Sequence, residues 1–226
     1  MSWEKHSKSS KRKLFSYFHY DFVKVTGALP ALLWARPKIY YPFGKPSKKG
    51  PIMVSCNHPT FLDPIMVLLA FPFRRPHSLA TKDLFNTKFK AWFFKQMHCI
   101  VVDKQNFSLA SLHQVVSYLQ EGKVVVIFPE GGVQAPDEPG VQAFKSGAVL
   151  MANRAKAPIL PMYMVKREKW YQRQRMVMGQ PIDVAKELGA MPSVQDMNRL
   201  TELLREKELE LERYYQSLPV YQKSKR

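Results

Sequence analysis

Short apolar runs recur along the chain, and the stretches between them place their apolar residues three and four positions apart. The runs 39–43, 52–56, 78–81, 99–102, 124–128, 159–165 and 175–179 have strand length. Several are continuously apolar, as strands covered on both faces require. Leu109, Leu112, Val115, Val116 and Leu119 share one face of a helix that Ser108 is placed to cap and Gly122 to end. Residues 145–155 repeat the helical pattern ahead of Pro158. Met197, Leu200, Leu203, Leu204 and Leu211 line one stripe of a long final helix opened by Ser193, and its many Glu, Arg and Lys residues read as a solvated face. Strands alternating with helices predict an α/β layered domain around a mostly parallel central sheet.

Ahead of this domain the pattern changes. Leu14, Phe15, Phe18, Phe22 and Val25 follow the 3.6-residue period of an amphipathic helix, which Pro30 is expected to kink or end. The apolar runs between Lys24 and Arg36 and from Pro64 to Phe73 are shorter than the roughly 20 residues that cross a bilayer. A polar connection at 44–50 divides the chain into an N-terminal arm, 1–49, and a layered domain with its long C-terminal helix, 50–226.

Charge adds a reason for the arm. The chain carries 35 Lys and Arg against 18 Asp and Glu, a net +17, and residues 1–50 hold eleven of the basic side chains and only Glu4 and Asp21 of the acidic ones. Such an excess attracts anions: nucleic acid, anionic lipid or a phosphorylated substrate. Basic charge beside Phe, Tyr and Trp suits a helix lying in a lipid interface. A nucleic-acid module is the rival, yet no zinc finger, RNP-type aromatic motif or Gly-x-x-Gly clamp is present. A hydrophobic fraction of 46% excludes a disordered chain, and two cysteines exclude a disulfide framework. The start is polar and basic, without the apolar core of a secretory signal. The expectation is a peripheral or monotopic protein on the cytoplasmic face of a membrane.

Three fragments carry chemistry. Asn57-His58 and Asp63 flank a strand-to-helix turn, where a carboxylate can hold one imidazole nitrogen and leave the other as a proton acceptor. The same residues also suit a helix cap and a polar turn. Phe128-Pro129-Glu130-Gly131-Gly132 closes a buried-strand run, the position where α/β sheets build sites. Pro158-Ile159-Leu160-Pro161 opens a further strand. Cys56 is a rival nucleophile, although the end of an apolar strand favours an inert buried thiol. His98 and Cys99 have no second ligand pair at zinc spacing, so no metal is expected. His6, His19, His77 and His113 have no evident partner, and Phe89 with Trp92, Phe93 and Phe94 reads as core or membrane-facing.

In this order and spacing the fragments resemble the glycerolipid acyltransferase superfamily, and within it the 1-acylglycerol-3-phosphate acyltransferases. The family's Asn-His-x-x-x-x-Asp block is matched by Asn57 to Asp63, and its Phe-Pro-Glu-Gly block by Phe128 to Gly131. The Pro-rich strand is matched by 157–161, the Lys-x-Glu-Leu segment by Lys82 to Leu84, the apolar strand ending in Asp-Arg by Cys99 to Lys104, and the Phe-Lys-x-Gly segment by Phe144 to Gly147.

The resemblance covers roughly 50–182 and implies a glycerolipid acyltransferase-like fold. It also implies transfer of a fatty acyl chain from acyl-CoA or acyl-carrier protein to a lysophospholipid hydroxyl in phospholipid biosynthesis. No cofactor is implied beyond that co-substrate, and the partners are membrane lipids rather than nucleic acid. His58 and Asp63 would be catalytic, with Asn57, Lys82, Lys104, Phe128, Pro129, Glu130, Gly131, Gly132 and Lys145 binding substrate. Two departures stand out: Gly132-Val133-Gln134 replaces the family's Thr-Arg-Ser continuation, and Lys104 replaces an arginine. Lysine lacks the bidentate fork of arginine on phosphate. The acceptor is therefore 1-acylglycerol-3-phosphate or a lyso-lipid with an amine, amino-acid or sugar head. A catalytically silent lipid-surface protein is the remaining alternative.

Overall fold

A computed structural model describes residues 17–103, 108–133, 141–189 and 192–224. The strands are β1 Lys38–Tyr40, β2 Ile52–Cys56, β3 Pro76–Thr81, β4 Ile100–Val102, β5 Val124–Ile127, β6 Ile159–Met164 and β7 Arg175–Met178. They form one sheet in the order β1-β7-β6-β2-β5-β3-β4. The five strands from β6 to β4 are mutually parallel; β7 runs antiparallel to β6, and β1 pairs in parallel with β7. The helices are α1 Phe18–Ala35, α2 Asp63–Ala70, α3 Lys88–Gln96, α4 Leu109–Gln120, α5 Gly147–Ala155, α6 Val184–Leu188, α7 Val194–Ser217 and α8 Pro219–Ser224, with a 3₁₀ turn at Lys82–Phe85. The α/β layering around a mostly parallel sheet is the one that the residue pattern predicts.

Every residue of β2 is buried, and alternation divides them between two cores. Ile52, Val54 and Cys56 join Met66 and Val67 of α2 and Ala35 at the end of α1. Met53 packs on the other face with Val115 of α4, Val149 of α5 and Leu200 and Leu204 of α7. Strand ends fall one residue short of the predicted runs at Phe128, Val165 and Gly179, which already belong to the loops of the sheet edge. Ser108 caps α4 by accepting from the Ser111 N–H, and Ser193 with Asp196 forms a capping box on α7.

Pro30 does not end α1, which continues to Ala35 and stops at Arg36 in the left-handed region. Both Pro30 and Thr26, whose carbonyl loses its donor, lie on the exposed side, where the missing bond leaves no buried acceptor. The helix is inverted relative to an ordinary surface helix. Its packed face is polar: Tyr20 is buried and donates to the Pro76 carbonyl at 2.8 Å, Lys24 donates to the Phe71 carbonyl at 2.8 Å, and Asp21 holds Arg75 through bonds of 2.7 and 2.6 Å. Its apolar stripe points outward, with Phe18, Phe22, Val25, Leu29 and Leu33 each more than half exposed. Leu14 and Phe15, predicted on the same stripe, lie outside the described residues. The segment counted with the arm also supplies β1, so arm and layered domain share one sheet. No helix among the described residues is long and apolar enough to cross a membrane.

Gly179 closes the packing of β7 on β6. A Cβ there would lie 2.9 Å from the Pro161 side chain, 3.2 Å from its carbonyl oxygen and 3.3 Å from Leu211. The proline ring and backbone cannot yield as a flexible side chain does, so Gly179→Ala is expected to destabilise the fold by about 1–3 kcal/mol. Urea denaturation of the two proteins measures the difference.

Candidate active site

The parallel strands β2, β3, β4 and β5 deliver their following loops to one edge of the sheet, and the chemistry-bearing residues collect there. Asn57, the first residue past β2, is 2% exposed and clamps the turn to the end of β6. Its side chain donates to the Met164 carbonyl at 3.0 Å and accepts from the Met164 N–H at 2.6 Å. This side-chain copy of a strand pairing fixes where the chain leaves the sheet.

His58 comes next, and its Nδ1 lies 2.9 Å from Oδ2 of Asp63, the first residue of α2. Asp63 has no exposed surface. Besides the imidazole it accepts from the Thr60 N–H at 2.7 Å and the Thr60 hydroxyl at 2.6 Å. These donors, together with the position at a helix N-terminus, stabilise the carboxylate. With Nδ1 engaged by an acceptor, the tautomer assigned from the bonding pattern leaves Nε2 as the basic nitrogen. The Phe128 ring stacks on the imidazole at 4.1 Å between centroids, and the His58 side chain keeps 13% exposure. The ring is thus oriented from two sides and open on a narrow front.

Glu130 brackets this turn. Its Oε2 accepts from the His58 N–H at 3.3 Å and its Oε1 from the Gln142 N–H at 3.1 Å, which ties the β2 and β5 loops to the chain re-entering before α5. Gly131 has φ +78°, and a Cβ there would meet the Lys145 ammonium at 3.0 Å. Glycine therefore answers both the backbone conformation and the close approach of Lys145, whose N–H donates to the Pro129 carbonyl at 3.0 Å. Gly132 adjoins this turn, and Val133 is exposed. Lys82, in the 3₁₀ turn after β3, is exposed and pairs with Asp103 after β4 at 2.8 Å. That carboxylate holds its ammonium above the usual lysine range. Lys104 and Gln134 lie outside the described residues.

The structure therefore brings Asn57, His58, Asp63, Phe128, Pro129, Glu130, Gly131 and Lys145 into one cluster. Lys82 stands farther along the same edge, beyond β5, in the turn after β3, the strand between β5 and β4. Three contributors lacked a sequence signal of their own: Thr60, whose donors hold Asp63; Gln142, whose N–H anchors Glu130; and Arg167. The Arg167 guanidinium lies over the Trp34 ring of α1 at 4.1 Å and donates to the carbonyls of Trp170 and Gln172. Burial lowers its pKa while the Asp63 charge opposes that shift.

The remaining histidines and aromatics stand apart from this cluster. His77 and His98 pack with Tyr17 near the start of β3, the opposite end from His58. Burial, reinforced by Lys123 and His98, pushes His77 down to about 3. Phe89 and Trp92 on α3 are exposed, with Trp92 against His19 of α1. Among the described residues no three His, Cys, Asp or Glu side chains group as metal ligands.

Comparison with known proteins bears on the family and the fold. A family model described as Acyltransferase matches residues 36–165. The chain is 28% identical over 180 residues to the 1-acyl-sn-glycerol-3-phosphate acyltransferase of Bacillus subtilis (strain 168), covering 77% of this chain and 87% of that one. It is 32% identical over 126 residues to a probable 1-acyl-sn-glycerol-3-phosphate acyltransferase of Mycoplasma pneumoniae, covering 52% of this chain and 45% of that one. The crystal structure of the 1-acyl-sn-glycerophosphate (LPA) acyltransferase PlsC from Thermotoga maritima has a TM-score of 0.60 at 15% identity, covering 92% of this chain and 98% of that one. At that identity the likeness is one of fold.

Cys56 is fully buried, and its thiol is pushed well up, by burial first and then by the neighbouring acidic side chains. Burial raises Cys99 to about 12. Since the thiolate is the reactive form, the folded protein is expected to resist alkylation by iodoacetamide at neutral pH at both positions. Both should react after unfolding in guanidinium. Mass spectrometry of the two digests reads the labelling site by site.

Proposed function

The chain belongs to the acyltransferase family, and on that premise we propose that it transfers a fatty acyl chain from a thioester to the free hydroxyl of 1-acylglycerol-3-phosphate. The observation that carries this reading is the 2.9 Å contact from His58 Nδ1 to a fully buried Asp63 that also accepts two bonds from Thr60. Nε2 of His58 takes the acceptor's hydroxyl proton, and the oxygen attacks the thioester carbonyl. Asp63 holds the ring and stabilises the imidazolium that forms, as the acid of a hydrolase triad does, with the substrate hydroxyl in the place of serine. Collapse of the tetrahedral intermediate breaks the carbon–sulfur bond, and His58 returns the proton to the departing thiolate. A thioester needs no prior activation, so a base, alignment and charge stabilisation suffice.

The acceptor is taken from the printed names of the relatives, and the cationic edge made by Lys82 and Lys145 suits its phosphate. Lys104, with no described position, is assigned to the same task from the motif alone. Glu130 acts by holding the His58 backbone rather than by touching the reacting atoms. The donor is acyl-CoA or acyl-carrier protein, both acidic and both favoured by a net charge of +17. The protein works on the cytoplasmic face of a membrane, held there by the outward apolar face of α1 and the basic N-terminal segment.

The test is incubation with radiolabelled acyl-CoA and a panel of lyso-lipids. Diacyl product from 1-acylglycerol-3-phosphate is expected. Product formed only from a non-phosphate acceptor overturns the headgroup, and no product from any acceptor with either donor overturns the activity. His58→Ala is expected to abolish transfer without unfolding the chain, because Thr60 still supplies Asp63 with two donors. Asp63→Asn, which can present the wrong hydrogen-bond polarity to the ring, is expected to lower the rate by about 10⁴-fold, the loss known for the analogous change in a protease triad.

Membrane binding is tested on α1 itself, because deleting the arm would also remove the buried Tyr20 and Ala35. Phe22→Ser with Leu29→Ser changes only exposed positions, so the melting temperature is expected to stay unchanged. Sedimentation with anionic liposomes is expected to weaken. Added salt is expected to weaken wild-type binding only in part, since screening removes the charge attraction but leaves apolar burial.

A further inference from the structure

The charged residues of α7 are not all on a solvated face. Its buried positions include Leu200, Leu204, Glu208, Leu211 and Tyr215, so the three- and four-residue stripe that packs on the sheet runs through an acid. Glu208 has no exposed surface. Its Oε1 accepts the Ser55 hydroxyl at 2.7 Å, across 153 residues of chain, and its Oε2 has no hydrogen-bond partner among the described residues. Burial raises its carboxyl well above the usual range, with Glu130 adding to the rise and Ser55 and the Asn57 backbone N–H opposing it. A neutral acid tolerates such a setting, whereas an ionised one would be left half-bonded in a dry core.

Ser55 lies three residues before His58, on the β2 face opposite the one where Cys56 packs with α2. One turn earlier on the same helix, Arg205 donates to the Gln142 carbonyl at 3.0 Å, and Gln142 in turn donates to Glu130, the acceptor of the His58 N–H. Two links therefore run from a single stretch of α7 to the His58 turn, from a helix that lies beyond the 36–165 segment of the family match.

We propose that Glu208 is a positioning residue for His58, acting through Ser55 from the face of the sheet opposite Asp63. It rests on the acyl-transfer reading. Asp63 fixes the ring from the α2 side, while Glu208 fixes the strand from which the ring is hung. A leucine would fill the stripe equally well but would leave Ser55 buried without its acceptor. The carboxyl works in its neutral form, so shape and hydrogen bonding matter and charge does not.

Steady-state acyl transfer by the full chain separates this role from simple packing. Glu208→Gln, the isostere of the neutral acid, is expected to keep kcat within about twofold, whereas Glu208→Ala is expected to lower kcat about tenfold or more with KM for donor and acceptor little changed, because displacement of a catalytic group by a fraction of an ångström is felt in the chemical step. Ser55→Ala cuts the same link from the other end and is expected to lower kcat in the same direction. The Ser55→Ala, Glu208→Ala double variant is expected to be no slower than Glu208→Ala alone.

Thermal melts establish that each variant is folded. If Glu208→Ala does not fold, Ser55→Ala decides, and an unchanged kcat there overturns the proposal. Glu208→Gln as slow as Glu208→Ala overturns it, as does a Glu208→Ala protein with a lower melting temperature and an unchanged kcat. Wild-type protein that forms no diacyl product overturns the acyl-transfer reading instead, a result distinct from the others.

Discussion

Asp63 is a carboxylate with no exposed surface, and the site is organised around keeping it satisfied. Burying an ionised acid without partners is among the costliest things a fold can do. Here the partners are an imidazole, a backbone N–H and a hydroxyl, all supplied within six residues of chain. The turn from β2 to α2 must therefore bring His58 and Thr60 back over the first residue of the helix, and Asn57 must pin the start of that turn to Met164. A hydrogen bond from a neutral imidazole to a buried carboxylate contributes about 1.5–3 kcal/mol, and the two Thr60 donors remain if it is lost. The pair thus fixes geometry more than it holds the domain together. The domain is held by the two apolar cores that sandwich β2.

The same economy of polar contact explains the orientation of α1. An ordinary surface helix packs its apolar stripe and exposes its polar one. This helix docks through Tyr20, Asp21 and Lys24, and Lys24 uses its ammonium on carbonyls at and just beyond the end of α2. Burial drives that ammonium down to about 8, so the contact carries a cost in water. Under the proposed membrane docking, lipid over the outward stripe would offset that cost, since apolar burial is worth about 25 cal/mol per Å². Trp34 near the end of α1 stacks with Arg167, which lies within the field of Asp63. Helix α1 and the acid of the site are thereby connected through one guanidinium.

The layering was legible because parallel strands are buried on both faces, and their runs stand out as unbroken apolar stretches. Ser108 and Ser193 announced their helices because caps are local, readable from residues within one turn. His58, Asp63 and Glu130 were legible through ordered motifs, each short and each at a strand end. What escaped was every relation that depends on tertiary packing. Pro30 reads as a breaker in one dimension, and only its exposure lets α1 continue. The charge of Glu208 reads as solvated, and only the stripe it shares with Leu204 and Leu211 places it in the core. The expectation for Glu130 was substrate binding, and its bonds to the His58 and Gln142 N–H groups are an added tie that no motif announces.

Under the acyl-transfer reading, headgroup recognition falls to the cations at the sheet edge. Lys145 is tied by its backbone bond to Pro129, and its ammonium lies over Gly131, beside Glu130 in the chain. Lys82 is committed to Asp103, and a phosphate would have to compete with that carboxylate or share the ammonium with it. Val133 stands exposed at a position that carries an arginine in the family pattern. Lysine recruits an anion by charge and hydration, without the planar fork that matches two phosphate oxygens at once. Under the proposed function, a site built this way would hold a phosphate through summed attraction and backbone donors rather than bidentate fit. Under the acyl-transfer reading its selectivity then comes from where the hydroxyl must lie to reach His58. That distance is set by the strand end, and so by Asn57 on the sheet edge, Asp63 on one face and Glu208 on the other.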